Sequence, residues 1–378
     1  LNILSTKAVF NLFFFVLLVT FAISFLGFFE ITLPSSWSSR IDSKAEKTTG
    51  FISVLLMAFT LVIVSFSCTG PIIGTLLVDV SVNGSVLAPL VGMFGFAVAL
   101  ALPFSLFAFF PTWLNSLPKS GGWLNSVKVV LGFLELALSL KFLSVADLAY
   151  GWGILDREVF LILWITIFIL LGFYLLGKIR FPHEEKKQHI SIFRRFLGIV
   201  SFTFVIYLIP GFWGAPLKSI SAFAPPLYTQ NFFIHRQSHI SFNDFDEGMN
   251  YAKKEKKPVL VNFSGHGCVN CRKMEASVWT DEQVNSILTN DVVLITLFVD
   301  DKKKLDTPII IEENGKKRTL ETIGDRNSYL QRVKFGANAQ PFYVLLNNEG
   351  SPLEKAYVFD ENPQNFVAFL EKGLKNYN

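Results

Sequence analysis

Apolar and polar residues are patterned in two different ways along this chain, and the change falls near Pro216. Before it, long runs of Phe, Leu, Ile, Val and Gly are separated by short polar segments. Six runs, at roughly 9–29, 50–80, 86–110, 123–147, 158–177 and 195–216, reach the roughly 20 residues that a helix needs to cross a bilayer. After it, apolar runs shorten to strand length and alternate with amphipathic segments rich in Lys, Glu, Asp and Asn. The expected architecture is a multi-domain membrane protein. An all-α transmembrane bundle of about six spans (1–216) leads through a linker (217–240, with Pro225 and Pro226) to an α/β domain (241–378).

The second half reads element by element. Asn243 or Asp244 can cap a helix running to about Lys256. Val259–Ser264 is a buried strand, Asp281 opens a helix to about Leu288, and Val292–Val299 is a second buried strand. Residues 300–323 look like an insertion, with Ile309–Ile311 and Arg318–Leu320 paired as a hairpin across Asn314-Gly315. A helix from Asp325 to Lys334, a strand after Pro341, a last strand near 353–358 and a helix from about Pro363 to Lys375 complete the domain.

Charge sets the orientation of the first half. Arg40, Lys44, Lys47, Lys119, Lys178, Arg180, Lys186, Lys187, Arg194 and Arg195 fall at alternate turns of the bundle, against Lys7, Arg157 and Lys218 on the other side. Lys and Arg concentrate on the cytoplasmic side, so six spans put the C-terminal domain outside the cytoplasm. The net charge of +4 is too mild to point to a nucleic-acid partner. Lys128, Glu135 and Lys141 in the fourth run are costly in lipid. Glu135 is expected to face protein or water, as a helix–helix hydrogen bond or as part of a polar path.

The chemistry lies in the chain's three cysteines. Cys268-Val-Asn-Cys271 follows the strand Val259–Ser264 and a turn containing Gly265 and Gly267, and it opens a segment free of Gly and Pro. A Cys-x-x-Cys at a strand-to-helix turn is the mark of a thioredoxin-like redox site. Three residues of separation put both thiols on one helical face, within disulfide reach. The first sits among free N–H groups that favour a thiolate, so Cys268 is the nucleophile and Cys271 the resolving thiol. A zinc site is the competing reading; His266 with His235 or His239 could contribute to one, but the spacings are not typical of zinc. Cys68 lies in Cys68-Thr-Gly70-Pro71, where Gly70 and Pro71 interrupt an apolar run. It is therefore expected at a kink in a broken membrane helix.

Ser65-Phe-Ser-Cys-Thr-Gly-Pro-Ile72 among several spans, the Cys-x-x-Cys of the C-terminal domain and Pro341 before its strand together resemble the DsbD-type thiol:disulfide interchange proteins. The resemblance implies a cytochrome c biogenesis-type membrane region and a thioredoxin-like domain. It implies a protein-disulfide reductase of the bacterial inner membrane that takes reducing equivalents from cytoplasmic thioredoxin and delivers them to periplasmic thiol-disulfide proteins, cytochrome c maturation factors among them. No cofactor beyond the cysteines is implied. Residue by residue, it assigns the broken-helix membrane cysteine to Cys68, the nucleophile to Cys268, the resolving thiol to Cys271, the proline opposing them to Pro341 and an acidic neighbour to Glu275.

Three departures stand beside it. The family has eight spans and two membrane cysteines, where this chain has six runs and Cys68 alone. The family's N-terminal periplasmic domain has no counterpart here, and N-terminal truncation accounts for both differences. The family's buried acid six residues before the nucleophile is Asn262, which cannot accept a proton, so more of any pKa tuning falls to Glu275. A membrane-tethered oxidase or isomerase and a non-enzymatic binding scaffold of the same fold are the alternatives.

Overall fold

The computed structural model describes residues 6–29, 87–109, 122–181, 190–230, 239–313 and 316–377. Cys68, Gly70 and Pro71, with the whole second apolar run, lie outside the described residues, as do His235, Asn314 and Gly315.

The described part of the first half is helical: α1 (Ala8–Phe25), α2 (Leu87–Phe109), α3 (Gly122–Tyr150), α4 (Arg157–Leu175) and α5 (Ile192–Leu208). Ala8–Phe25, Asn125–Tyr150, Arg157–Leu175 and Ile192–Trp213 are each long and apolar enough to cross a membrane. The chain is thus a multi-pass membrane protein with an α/β domain after its helices. Small residues at helix contacts let backbones approach, as in membrane bundles generally. Gly172 of α4 faces the Phe202 ring of α5, and Ser201 Oγ donates to the Phe168 carbonyl at 2.8 Å. In α3, Lys128 is exposed, while Glu135 and Lys141 are half-buried.

The chain divides into two compact units: Leu18–Glu135 with Arg180–His189, and Leu1–Leu17 with Leu136–Ile179 and Ile190–Asn378. Within the larger unit α5 runs on into a three-ten turn at Ile209–Trp213. The segment read from the sequence as a linker contains two further three-ten turns, Lys218–Ile220 and Leu227–Thr229. It buries Leu217, Ile220 and Ala224. Arg157 pins it from the start of α4, Nη1 donating to the Pro225 carbonyl at 2.6 Å and Nη2 to that of Ala215 at 3.4 Å.

The remaining elements are β1 (Ser241–Phe242), α6 (Phe245–Glu255), β2 (Val259–Ser264), α7 (Val269–Lys273), α8 (Glu282–Asn290), β3 (Val293–Phe298), β4 (Lys304–Glu313), β5 (Lys316–Thr322), α9 (Ile323–Phe335), β6 (Phe342–Leu346), β7 (Tyr357–Val358) and α10 (Pro363–Tyr377). A five-stranded sheet runs in the order β1-β3-β2-β6-β7, and β4 and β5 form a separate antiparallel ribbon. β1, β3 and β2 are parallel, whereas β6 is antiparallel to β2 and β7 to β6.

Both faces of the central strands are covered, which is why β2 and β3 read as mostly apolar runs, interrupted by Asn262, Ser264 and Thr296. Side chains alternate across the sheet. Val261, Phe263, Ile295 and Val344 meet α6 and α9. Leu260, Leu294, Tyr343 and Leu345 meet the helices on the other side, with Met274, Leu288, Phe366 and Leu370. Asp244 caps α6, its Oδ1 accepting from the N–H groups of Asp246 and Glu247 at 3.0 and 3.1 Å.

The sequence-based boundaries shift in three places. The 353–358 strand shrinks to Tyr357–Val358 plus an isolated bridge between Leu346 and Pro352. The ribbon is longer than the hairpin expected from its apolar residues. The helix after the Cys-x-x-Cys widens into a π-turn at Met274–Val278.

Candidate active site

Parallel pairing of β2 with β3 brings two loops together at one end of the sheet: Gly265–Gly267 after β2, and Val299–Lys303 after β3. Cys268 is the N-cap of α7, and its Sγ accepts the Cys271 N–H at 3.1 Å. The two cysteines are joined as a disulfide, with Cα atoms 5.3 Å apart. Cys268 is half-buried, while Cys271 is 1% exposed. An incoming protein sulfur can therefore reach the first cysteine but not the second.

Pro341, after a cis Gln340–Pro341 bond, precedes Phe342. Phe342 is the antiparallel partner of Phe263, so Pro341 belongs to the same end of the sheet as the motif. The approach to it is fixed by Gln331, fully buried, whose Nε2 donates to the Ala339 carbonyl at 2.8 Å and whose Oε1 accepts from Gln340 Nε2 at 3.0 Å.

Glu275 lies one helical turn beyond Cys271, and Arg272 Nη1 stands 2.8 Å from its Oε2. Arg272 is itself 3% exposed and donates through Nη2 to Ser264 Oγ at 3.2 Å. Burial pushes the Glu275 carboxyl above its usual range, against the opposing pull of Arg272 and His266. Burial also works against the Arg272 charge, but Glu275, with Tyr228 and Asp300, keeps the guanidinium pKa above its ordinary value. Asn262 is 1% exposed, lies between Thr296 and Tyr343 in the sheet, and leaves its Oδ1 without a hydrogen-bond partner. A cavity of about 910 Å³ opens beside α7, between Arg272, Glu275 and Trp279 on one side and Leu217, Pro225, Tyr228 and Gln230 on the other. Among the described residues, no group of three or more His, Cys, Asp or Glu could hold a metal ion.

Asp300 carried no signal in the sequence, and His266 was weighed there only as a zinc ligand. Asp300, 2% exposed, accepts the His266 N–H at 2.8 Å and the Gly267 N–H at 3.2 Å. His266 stacks on Phe298, with ring centroids 4.2 Å apart and planes 7° from parallel. Its Nδ1 lies 3.5 Å from the Tyr228 hydroxyl, and its Nε2 lies 4.0 Å from Asp301 Oδ2. Gly267 faces Val145 of α3 and Thr6, and the Lys302 N–H donates to the Ala149 carbonyl at 2.8 Å. The Cys-x-x-Cys end of the α/β domain is thus packed against the ends of membrane-half helices within the larger unit.

Comparison with known proteins follows the same division. Residues 1–146 match the family model described as the cytochrome C biogenesis protein transmembrane domain, and residues 241–348 match a thioredoxin-like model. The thiol:disulfide interchange protein DsbD of Pseudoalteromonas atlantica is 28% identical over 73% of this chain and 44% of its own length. That of Actinobacillus pleuropneumoniae is 26% identical over 74% of this chain and 44% of its own. For that of Campylobacter jejuni (strain RM1221) the identity is 24%, over 82% of this chain and 54% of the relative. The chain therefore spans about half the length of the curated relatives it matches.

Proposed function

We propose that this chain, which is similar to the DsbD-type thiol:disulfide interchange proteins, works as a protein-disulfide reductase, with Cys268 as nucleophile and Cys271 as resolving thiol. In the reduced protein the Cys268 thiolate attacks one sulfur of a target disulfide. A mixed disulfide forms, and the target's other sulfur leaves as a thiolate and takes up a proton. Cys271, deprotonated, then attacks Cys268 Sγ. The Cys268–Cys271 disulfide closes, and the target's second sulfur is released and protonated. Two electrons and two protons pass from the dithiol to the target.

The observation that carries this reading is the exposure difference between the joined cysteines, 1% for Cys271 against a half-open Cys268. It makes intermolecular attack at Cys268 and intramolecular closure by Cys271 the accessible order. Pro341, at the same end of the sheet, offers backbone to a bound target. Glu275 bears on the protonation of the pair, where Asn262 cannot.

The wider role belongs to the same proposal. Residues 1–216 carry electrons across the bacterial inner membrane, 217–240 connect, and 241–378 act in the periplasm. Cys68, followed in the sequence by Gly70 and Pro71, re-reduces the domain together with a second thiol. Cytoplasmic thioredoxin is the donor, periplasmic disulfide proteins and cytochrome c maturation factors are the acceptors, and the cysteines alone carry the electrons. The Lys and Arg distribution supports this orientation. The test is turnover of a disulfide-bonded protein substrate by the reduced chain. Cys268→Ser should abolish it, whereas Cys271→Ser should accumulate a mixed disulfide that runs as a larger species on a non-reducing gel. Full turnover by Cys268→Ser would overturn the assignment.

A further inference from the structure

Two backbone N–H groups immediately before the nucleophile, those of His266 and Gly267, are engaged by one carboxylate, at 2.8 and 3.2 Å. Both oxygens of Asp300 act as acceptors, as in the ionised form. The residue is 2% exposed and lies in the loop after β3, far in sequence from the motif.

The approach is close. A Cβ built on Gly265 would lie 3.0 Å from Asp300 Oδ2 and 3.3 Å from the Cβ of Cys268, so carboxylate and nucleophile flank the same backbone atom. Only a residue without a side chain leaves that space open.

The loop that carries Asp300 is held from behind. Asn327 Nδ2 donates to the Phe298 carbonyl at 3.0 Å, and the Gly324 N–H to that of Asp301 at 3.0 Å. A Cβ on Gly324 would meet Asp301 O at 2.6 Å and Asp301 N at 2.7 Å, so α9 packs backbone-to-backbone on this loop. Asp301 is occupied differently, its Oδ1 accepting the Lys303 N–H at 2.8 Å and its Oδ2 facing His266 Nε2. The charged and titratable groups around Asp300 include Arg272 with its partner Glu275, Tyr228, Asp301 and, in the same loop, Lys302 and Lys303, with His266 stacked between loop and sheet.

We propose that Asp300 is a positioning residue for the redox pair: it clamps the His266–Gly267 turn and sets a fixed negative charge beside Cys268 that keeps the dithiol strongly reducing. A nearby anion disfavours the thiolate. A thiolate that is harder to form makes the reduced state less stable relative to the disulfide. The strong oxidant DsbA is the opposite case, since its reduced form is stabilised. The two N–H groups are also turned toward Asp300, leaving the Cys271 N–H as the hydrogen bond seen at Cys268 Sγ. This rests on the reductase reading above and adds the device that sets its direction.

The experiment uses the full chain in detergent carrying Cys68→Ser, so that Cys268 and Cys271 are its two remaining thiols. The Cys268–Cys271 equilibrium is measured against a dithiothreitol series, and the pH dependence of Cys268 alkylation is measured in parallel. Asp300→Asn keeps the shape and removes the charge. Measured at a pH above the Cys268 alkylation midpoint of both proteins, it should shift the equilibrium constant about tenfold toward the dithiol, which is about 30 mV. It should also move the alkylation profile about one pH unit down. Asp301→Asn should stay within about twofold of the parent, because its carboxylate does not hold the turn. If the amide does not fold, Asp300→Ser removes the same charge and still offers one acceptor. An unchanged potential in a folded Asp300 variant, or an equal shift in Asp301→Asn, would overturn the inference while leaving the reductase reading intact. A parent chain with no dithiol couple would remove that reading and this inference with it.

Discussion

The membrane half and the α/β domain are written in different codes. In the apolar half, composition says that a segment is a helix and where it ends, but little about what each face touches, because lipid and protein interior accept the same side chains. In the α/β domain, period, caps and turn residues each restrict one element, and the sheet order then follows from which strands are buried on both faces. Glycine makes the contrast concrete. Gly95 of α2 has nothing within 4 Å of a built Cβ, whereas Gly324 of α9 would drive one into the backbone of Asp301.

The largest effect that would test this contrast is Gly324→Ala. Backbone atoms at 2.6 and 2.7 Å cannot rotate aside, so about 3 kcal/mol of destabilisation is expected by denaturant unfolding. Gly95→Ala in the apolar half should lie within about 0.5 kcal/mol of the parent. Equal effects would break the comparison.

Leu260→Ala belongs to the same size class. Leu260 is fully buried between sheet and helices, and its truncation should cost about 2–5 kcal/mol, according to how far the site collapses. Exposed Leu131 of α3 to Ala should show almost no effect in detergent if that face meets only solvent or lipid, and a larger loss would reveal a partner on it.

Arg157→Ala tests the join between the halves. It removes two hydrogen bonds to the carbonyls of Pro225 and Ala215, and limited proteolysis should then cut within 215–230 where the parent resists. Unchanged protection would mean that Leu217 and Ile220 hold the segment by packing alone.

The smallest effect is at Asp244, where Asp244→Ala should cost about 1 kcal/mol at neutral pH through loss of the α6 cap. Burial works against the Asp244 charge, but N–H donors from Glu247 and Asp246 and the Arg326 side chain outweigh it and hold the carboxyl below its usual range. Its stabilisation is therefore present above the unfolded carboxyl pKa of about 3.9 and is lost as pH falls through the folded value. The parent and Asp244→Ala unfolding curves should converge below that window, and a difference that persists there would contradict the charge-based part.

What the sequence disclosed follows the same division. Cys268 and Cys271 were legible because spacing and the preceding strand specify a redox turn. Asp244 was legible as a cap, and Pro341 through a family resemblance. Asp300 was not, because its role exists only once β2 and β3 lie parallel, and in sequence it opens Asp-Asp-Lys-Lys-Lys, which reads as a solvated charge run. Arg272 was hidden for a related reason: an Arg after a Cys-x-x-Cys looks like surface until Ser264, Glu275 and Tyr228 close around it. The turns within 217–230 escaped because Pro and Ser suggest a loop, while Leu217 and Ile220 find burial that only the tertiary fold supplies.

The central claim is that the Cys268–Cys271 pair is an electron donor. Its equilibrium reduction potential in the intact chain, read against glutathione or dithiothreitol, tests that directly. A value at or below about −220 mV, on the thioredoxin and glutaredoxin side, is the predicted result. A value near about −120 mV, that of a strong oxidant, would contradict it.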